Sequence, residues 1–278
     1  MDKPKLSWAP LRWLPSMLSE GQPTFEHWFC RARQLGLGFV EIYYALIDPP
    51  TEERAAEIRD LLSRYELGVS QLCCASDFTH PDPAVREAEL EKMQRFVDLA
   101  AVLGAAGVRV TAGCRHEGVS REQGVRWASE YLLRLAEYAQ PRGVRLGFEN
   151  HFRDRLWHAE DFALHAVVYL DIFRRVEHSW VGVNFDSGNQ LMTGEDPMVV
   201  LRAVKHKVWH MHASDRLPGQ YQHSVVGEGA VDFDPIFRCL AEIGYSGFIS
   251  HEDSNPEGDA GTERSLAFLR RKIAQFWG

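Results

Sequence analysis

The chain has 278 residues, is 45% hydrophobic and carries a formal net charge of −8. That length accommodates two average domains or one large α/β barrel, with ample apolar material for a core. The acidic balance disfavours a phosphate backbone as partner, so no nucleic acid is expected, and no apolar run approaches the length of a membrane span.

The opening MDKPKLSWAPLRW lacks the long apolar stretch of a signal segment. The five cysteines, Cys30, Cys73, Cys74, Cys114 and Cys239, are odd in number, and no two have C-x-x-C spacing. A reduced, soluble, cytoplasmic protein is therefore expected, without disulfides or a thiolate zinc site.

Along the chain, short apolar runs alternate with longer amphipathic ones. LSWA is the first predicted strand, followed by GFVEIYY, LGVSQLCC, GVRVTAG, GVRLGFE, WVGVNFD, KVWHMHASD and GFISHED. TFEHWFCRARQLG and TEERAAEIRDLLSRYELG each open on a threonine cap and close on glycine, which predicts helices. Further helices are predicted over 83–104, 120–140, 158–177, 197–206, 233–243 and 261–276. Gly36, Gly68, Gly104, Gly107, Gly143 and Gly244 fall between a helix and the next strand, where a left-handed cap is needed. Strict β–α alternation implies a parallel sheet, and eight units predict a single-domain (β/α)8 barrel over 1–278. An open doubly wound sheet is the alternative, but the first β–α turn carries no G-x-G-x-x-G fingerprint.

Alternation along each strand sorts side chains into two faces. Val144, Leu146 and Phe148 suit the helix-facing side, which leaves Arg145, Gly147 and Glu149 inward. Gly182, Asn184 and Asp186 point inward by the same rule. His210 and His212 oppose Trp209 and Met211, while Phe248, Ser250 and Glu252 share a face. Four successive strands thus present Glu149, Asp186, His212 and Glu252 at one depth at their C-terminal ends, where barrel active sites lie. Three carboxylates and an imidazole in one pocket need compensating positive charge. One divalent cation supplies it: Mn2+ first, with Mg2+, Co2+ and Zn2+ also suited to this donor set. For each residue alone, a helix cap or surface position is the ordinary alternative; four together favour the site.

The motifs LGFENH, VGVNFDSGN, VWHMHASD, HSVVGEGAVDF and GYSGFISHE, in that order, resemble the xylose-isomerase-like TIM-barrel superfamily of sugar isomerases and epimerases. The resemblance implies that Glu149, Asp186, His212 and Glu252 bind one divalent metal. It also implies that the two glutamates exchange protons with the carbon beside a substrate carbonyl. Metal-stabilised enediolate chemistry, with one carboxylate on each face of the carbon, is consistent with that assignment.

Departures matter too. The DNA-repair branch needs histidine where Asn189 stands and aspartate where Tyr221 stands. The ketose 3-epimerases usually carry histidine at Asn189, arginine at Pro218 and glutamate at Arg155. The dehydratase branch has Glu-x-His, matched by Glu149-Asn150-His151.

Expected substrate-binding residues are His151, Asn189, His223, Glu41 and Arg216. For Glu41 the alternative is a buried ion pair with Arg109 or Arg145. Asp215 and Arg216 could pair behind His212. His210 reads as a hydrogen-bonded interior residue, and His80 as a weaker pocket candidate. Trp13, Trp157 and Phe152 could wall a sugar site, and Arg115, Arg153, Arg155 and Arg216 could meet an anion. The expected partner is a small sugar or keto-polyol, with homo-oligomer formation implied by the resemblance. The leading function is isomerisation or epimerisation. A metal-dependent lyase acting on a keto-cyclitol or 3-dehydroshikimate-like ring is the alternative, followed by a non-catalytic sugar-binding barrel.

Overall fold

The computed structural model describes residues 2–176 and 178–278. Eight parallel strands form a barrel: β1 (Lys5–Ala9), β2 (Phe39–Tyr43), β3 (Gly68–Cys73), β4 (Gly107–Val110), β5 (Arg145–Glu149), β6 (Val181–Asp186), β7 (Val208–Ala213) and β8 (Phe248–Glu252). The ladder runs β1-β8-β7-β6-β5-β4-β3-β2, and β1 lies against β2 where the barrel closes. Around it lie α1 (Leu14–Glu20), α2 (Phe25–Gln34), α3 (Glu52–Arg64), α4 (Pro83–Leu103), α5 (Arg121–Ala139), α6 (Ala166–Arg175), α7 (Pro197–Val204), α8 (Phe233–Glu242) and α9 (Gly258–Trp277). The fold is the predicted (β/α)8 barrel. Among the described residues, no helix is long and apolar enough to cross a membrane. All five cysteines are unpaired.

Local chemistry sets the helix starts. Thr24, Thr51 and Ser120 each accept a backbone N–H from their helix's first turn, and Ser120 with Gln123 completes a reciprocal capping box. Gly36, Gly104, Gly143 and Gly244 have φ near +65 to +69°, as predicted for left-handed caps. Gly68 and Gly107 do not. They begin β3 and β4, and after α3 it is Glu66, at φ 51°, that turns the chain.

Three other expectations are corrected. The helix predicted over 158–177 begins only at Ala166, and its predicted last residue, Glu177, lies outside the described residues. Residues 158–165 instead join the loop after β4: Arg115 N–H donates to Glu160 O at 2.8 Å, and Phe162 N–H to Gly113 O at 2.7 Å. These tertiary bonds override a helical pattern. The short helix α1, inside the first β–α connection, carries a proline in its first turn and was not anticipated.

Trp209 is the third. Register slips between Val183/Asn184 on β6 and Val208/His210 on β7. Such a bulge re-aims a side chain, and here it turns Trp209 inward beside His210, not outward with Met211. The indole occupies the barrel floor. A Cβ on Gly107 would lie 2.3 Å from it, one on Gly182 2.5 Å, and one on Gly147 3.2 Å. The inward glycines of β4, β5 and β6 therefore leave room for one tryptophan.

Gly182→Ala is expected to cost roughly 1–3 kcal/mol, the usual penalty for overpacking, because the added carbon would also meet the Lys207 carbonyl at 2.9 Å. Gly147→Ala should cost less, since its nearest contacts are side-chain atoms at 3.2 Å. Urea midpoints at unchanged slope would show that order; equal stability for Gly182→Ala and the parent would refute the packing account.

Candidate metal centre

The C-terminal ends of β5 to β8 meet around His212. By register Asp186 sits level with His212, but Glu149 pairs with Asn184 and Ser250 pairs with His212. The four predicted ligands are thus not at one depth. Strand stagger in a tilted barrel offsets them along the ladder, and their side chains converge nonetheless. From His212 Nδ1, Glu149 Oε1 is 2.9 Å away, Glu252 Oε1 3.7 Å and Asp186 Oδ2 4.0 Å. Glu149, Asp186 and His212 each offer a donor atom within 4.8 Å of the others. Glu41, Cys73 and His212 meet the same criterion on the ring's other side.

The opposite ring nitrogen explains Glu41. His212 Nε2–H donates to Glu41 Oε1 at 2.8 Å. Glu41 is 1% exposed. Its partner is therefore His212, not Arg109 or Arg145, and it lies beneath the ring, outside the mouth cavity. Burial is the largest single influence and opposes ionisation of Glu41, but the charges of His212 and His210 with hydrogen bonds from His212 and Ser250 together outweigh it and take its carboxyl down to about 2. Burial likewise opposes the imidazolium, yet Glu41 and Glu149 together hold His212 protonated well above the ordinary histidine range. His210, one layer below, donates its Nδ1–H to Asn184 Oδ1 at 2.9 Å, and burial takes it down to about 3, so it stays neutral.

Each carboxylate has its own support. Arg109 Nη1 donates to Glu149 Oε2 at 2.8 Å, and Nη2 lies 3.5 Å from Asp154. Burial would raise Glu149, but Arg109 and His212 outweigh it and hold the carboxyl well below the usual range. Tyr43 donates to Asp154 at 2.8 Å. Asp186 Oδ1 accepts Gly188 N–H at 2.8 Å and Asn189 N–H at 2.7 Å, and Ser214 donates at 2.9 Å. Asn150 answers for the polar end of β5: its amide donates to Asp186 O and its oxygen accepts Asp186 N–H, both at 2.8 Å. Among the described residues, the Glu252 carboxylate has no such support. Burial, with Asp186 and Glu149 adding to it, pushes its carboxyl up to about 7.

Above these groups opens a cavity of about 260 Å³, lined in part by His151, Asn189, Arg216, His223 and Glu252. A larger hollow of about 570 Å³ lies among α1, α2 and α3, but it gathers no histidine or cysteine. Size alone does not select the site. In the mouth cavity, His151 Nδ1–H donates to the buried Asp161 at 3.1 Å. Arg216 does not pair with the Asp215 side chain. Its Nη2 donates to Asn189 Oδ1 at 3.0 Å and to His223 Nε2 at 2.8 Å, and Nη1 donates to Tyr221 O at 2.9 Å. Asp215 instead accepts the backbone N–H groups of Arg216, Gly227, Gly229 and Val231, fixing the glycine-containing loop.

Phe152, Arg153 and Arg155 also line the cavity, while Trp13, Trp157, Arg115 and His80 do not. His80 packs on His116 and accepts Asp82 N–H at the turn into α4. Sequence reasoning missed Asn150, Asp154, Asp161 and Ser214 as supports. It noted Arg109 without its true partner. Inward parity on β4 was the available signal for Arg109; the others stand in loops, where parity says nothing.

With fold and geometry in place, comparison with known proteins assigns the class. The chain belongs to the xylose isomerase-like TIM-barrel family, whose model matches residues 29–272. It is 26% identical to the ketose 3-epimerase of Arthrobacter globiformis over 80% of this chain and 75% of that one. It is 22% identical to the inosose dehydratase of Clostridium tetani (strain Massachusetts / E88), over 89% of each. Among solved structures, a D-tagatose 3-epimerase-like protein superposes with TM-score 0.80 at 20% identity, covering 98% of both chains. Relatives are epimerases and dehydratases, so an enzyme of small sugar-like molecules is the coarse conclusion.

Arg109→Met would leave Glu149 and Asp154 buried without their cation. A loss of about 3–5 kcal/mol is expected, as for one partner removed from a buried pair. Adding Asp154→Asn should recover part of it. Chemical denaturation of the single and double variants tests this; additive losses would mean that Arg109 does not hold both acids.

Proposed function

We propose that the protein is a divalent-metal-dependent isomerase or epimerase that moves a proton on the carbon beside the carbonyl of a sugar or keto-polyol. The convergence of Glu149, Asp186 and Glu252 on Nδ1 of His212, beneath a polar cavity, supports this reading. The donors fit Mn2+, Mg2+, Co2+ or Zn2+: three carboxylates and one imidazole nitrogen, with Nε2 already occupied by Glu41. Such a carboxylate behind a ligating histidine fixes its tautomer and orientation. When bound, the cation would act as a Lewis acid on a substrate carbonyl.

The chain's own groups then divide the work. Glu149 and Glu252 stand on β5 and β8, so a substrate between them meets one carboxylate from each side. One removes the α-proton and the other returns it, which inverts the centre; return to the neighbouring carbon gives isomerisation instead. Asn189 and His223, each hydrogen-bonded to Arg216, supply with it polar contacts on the adjoining wall. His151, held by Asp161, supplies a further imidazole at the cavity.

That last pair also favours a second reading, a dehydratase. A histidine steadied by a buried acid, two residues from Glu149, can hand a proton to a departing hydroxyl after the α-proton leaves. The epimerase and dehydratase relatives fit either reading.

Turnover in heavy water with Mn2+, read by mass spectrometry over ketoses, keto-acids and keto-cyclitols, separates them. A one-unit mass gain that is lost in Glu252→Gln is the expected result. Loss of a water mass would establish the dehydratase, and silence, with sugar binding indifferent to chelator, would establish a non-catalytic barrel. Independently, Mn2+ at about 100 times its Kd should stabilise the parent by roughly 2.7 kcal/mol and leave Asp186→Asn unmoved in thermal denaturation.

A further inference from the structure

We propose that the mouth of the barrel carries an anion subsite built on Arg155 and Arg216, so that the substrate bears a phosphate or carboxylate away from its reacting carbon. The inference deepens the sugar-site reading above and rests on it for the word substrate.

The argument begins with charge. Arg216 is only 3% exposed. Among the described residues its hydrogen-bond partners are Asn189, His223 and a backbone carbonyl, all neutral, and its Nε–H has none. Among the described residues, no carboxylate lies within salt-bridge distance of it. Its charge reaches Asp186 and Glu252 only from beyond contact distance, so a buried guanidinium with one N–H left unpartnered lacks the direct anionic partner that a bound oxyanion would supply.

Arg155 is the second cation. Its Nη2 donates to Ser254 Oγ at 2.8 Å, which carries the loop after β5 across the mouth to the loop after β8. The partner is again a neutral hydroxyl. Both guanidiniums line the same cavity, together with Tyr221 and His223. Tyr221 stands beside them, its ring 5.9 Å from the Arg216 guanidinium. Two like charges gathered at one wall, in a chain of net charge −8, match a ligand of opposite sign.

Depth separates the two sites. Glu149, Asp186 and Glu252 lie at strand ends, and Arg155 and Ser254 stand further along the loops that follow. A ligand that reaches the carboxylates with its carbonyl end would leave its far end level with Arg155. Guanidinium geometry suits phosphate and carboxylate oxygens equally, so the shared chemistry is a terminal oxyanion.

The test uses unreactive six-carbon probes with metal-loaded protein and isothermal titration calorimetry: sorbitol, sorbitol 6-phosphate and gluconate. At least one anion should bind tenfold or more tightly than sorbitol, and the stronger of the two names the oxyanion. In Arg155→Gln, a change at an exposed position, that preference should fall below threefold while sorbitol affinity stays within twofold. Equal binding of all three probes overturns the subsite. So does an anion preference that survives Arg155→Gln, which would mean capture by the metal instead. Arg216→Gln should act in the same direction, and near-ultraviolet circular dichroism checks its fold. Anion selectivity without any proton exchange would sink the proposed reaction and leave the subsite standing.

Discussion

Buried negative charge at the mouth of the barrel is the constraint on which the rest of the site depends. Glu41, Glu149, Asp154, Asp186 and Glu252 are all at least nine-tenths buried. An isolated carboxylate in such a place costs several kcal/mol, so each must be answered. Arg109 reaches two of them, and His212 reaches two through its opposite nitrogens. Asp186 draws on two backbone N–H groups and Ser214. Among the described residues Glu252 draws on no comparable hydrogen bond, and burial outweighs the nearby charges of His212 and Arg216 and takes its carboxyl to about 7. On the proposed reading, a divalent cation beside Nδ1 of His212 would answer Asp186 and Glu252 together.

The same reasoning, with the sign reversed, governs the outer layer. Arg216 and Arg155 make their hydrogen bonds to neutral groups, and the Arg216 Nε–H makes none among the described residues. An inner layer that suits a cation and an outer layer that suits an anion define a polarity along the cavity. A ligand with a carbonyl at one end and an oxyanion at the other matches that polarity; a uniformly neutral sugar matches only half of it.

Most of this barrel was legible in the sequence because two periodicities are strong in it. The strands alternate faces cleanly, so Glu149, Asp186, His212 and Glu252 could be read as inward without knowing any contact. Parity fails where a ladder slips. The bulge on β7 turned Trp209 into the floor, and no residue type in VWHMH announces a bulge. Propensity fails where long-range bonds compete: 158–165 carries a helical pattern, yet the Cys114–Asp161 bridge and its neighbours hold it as a loop of bends and a turn. Arg216 stands just beyond a strand, where only three-dimensional placement shows that its guanidinium turns towards Asn189 and His223 and leaves Asp215 to the loop.

Asp215 shows how such a site is kept ready. Its carboxylate gathers four backbone N–H groups from the segment 216–231. A Cβ on Gly229 would lie 2.3 Å from its oxygen, so only glycine lets the loop come close enough to bond. That loop carries Arg216, Tyr221 and His223. Asn150 does the equivalent between β5 and β6, tying the backbone of one predicted ligand to the side chain beside another. His212 is gripped by Glu41 from below. None of these three supports needs to touch a ligand. Together they fix, before any ligand arrives, the positions of groups whose effect depends on tenths of an ångström, and the entropy of arranging them is spent in folding and not in binding.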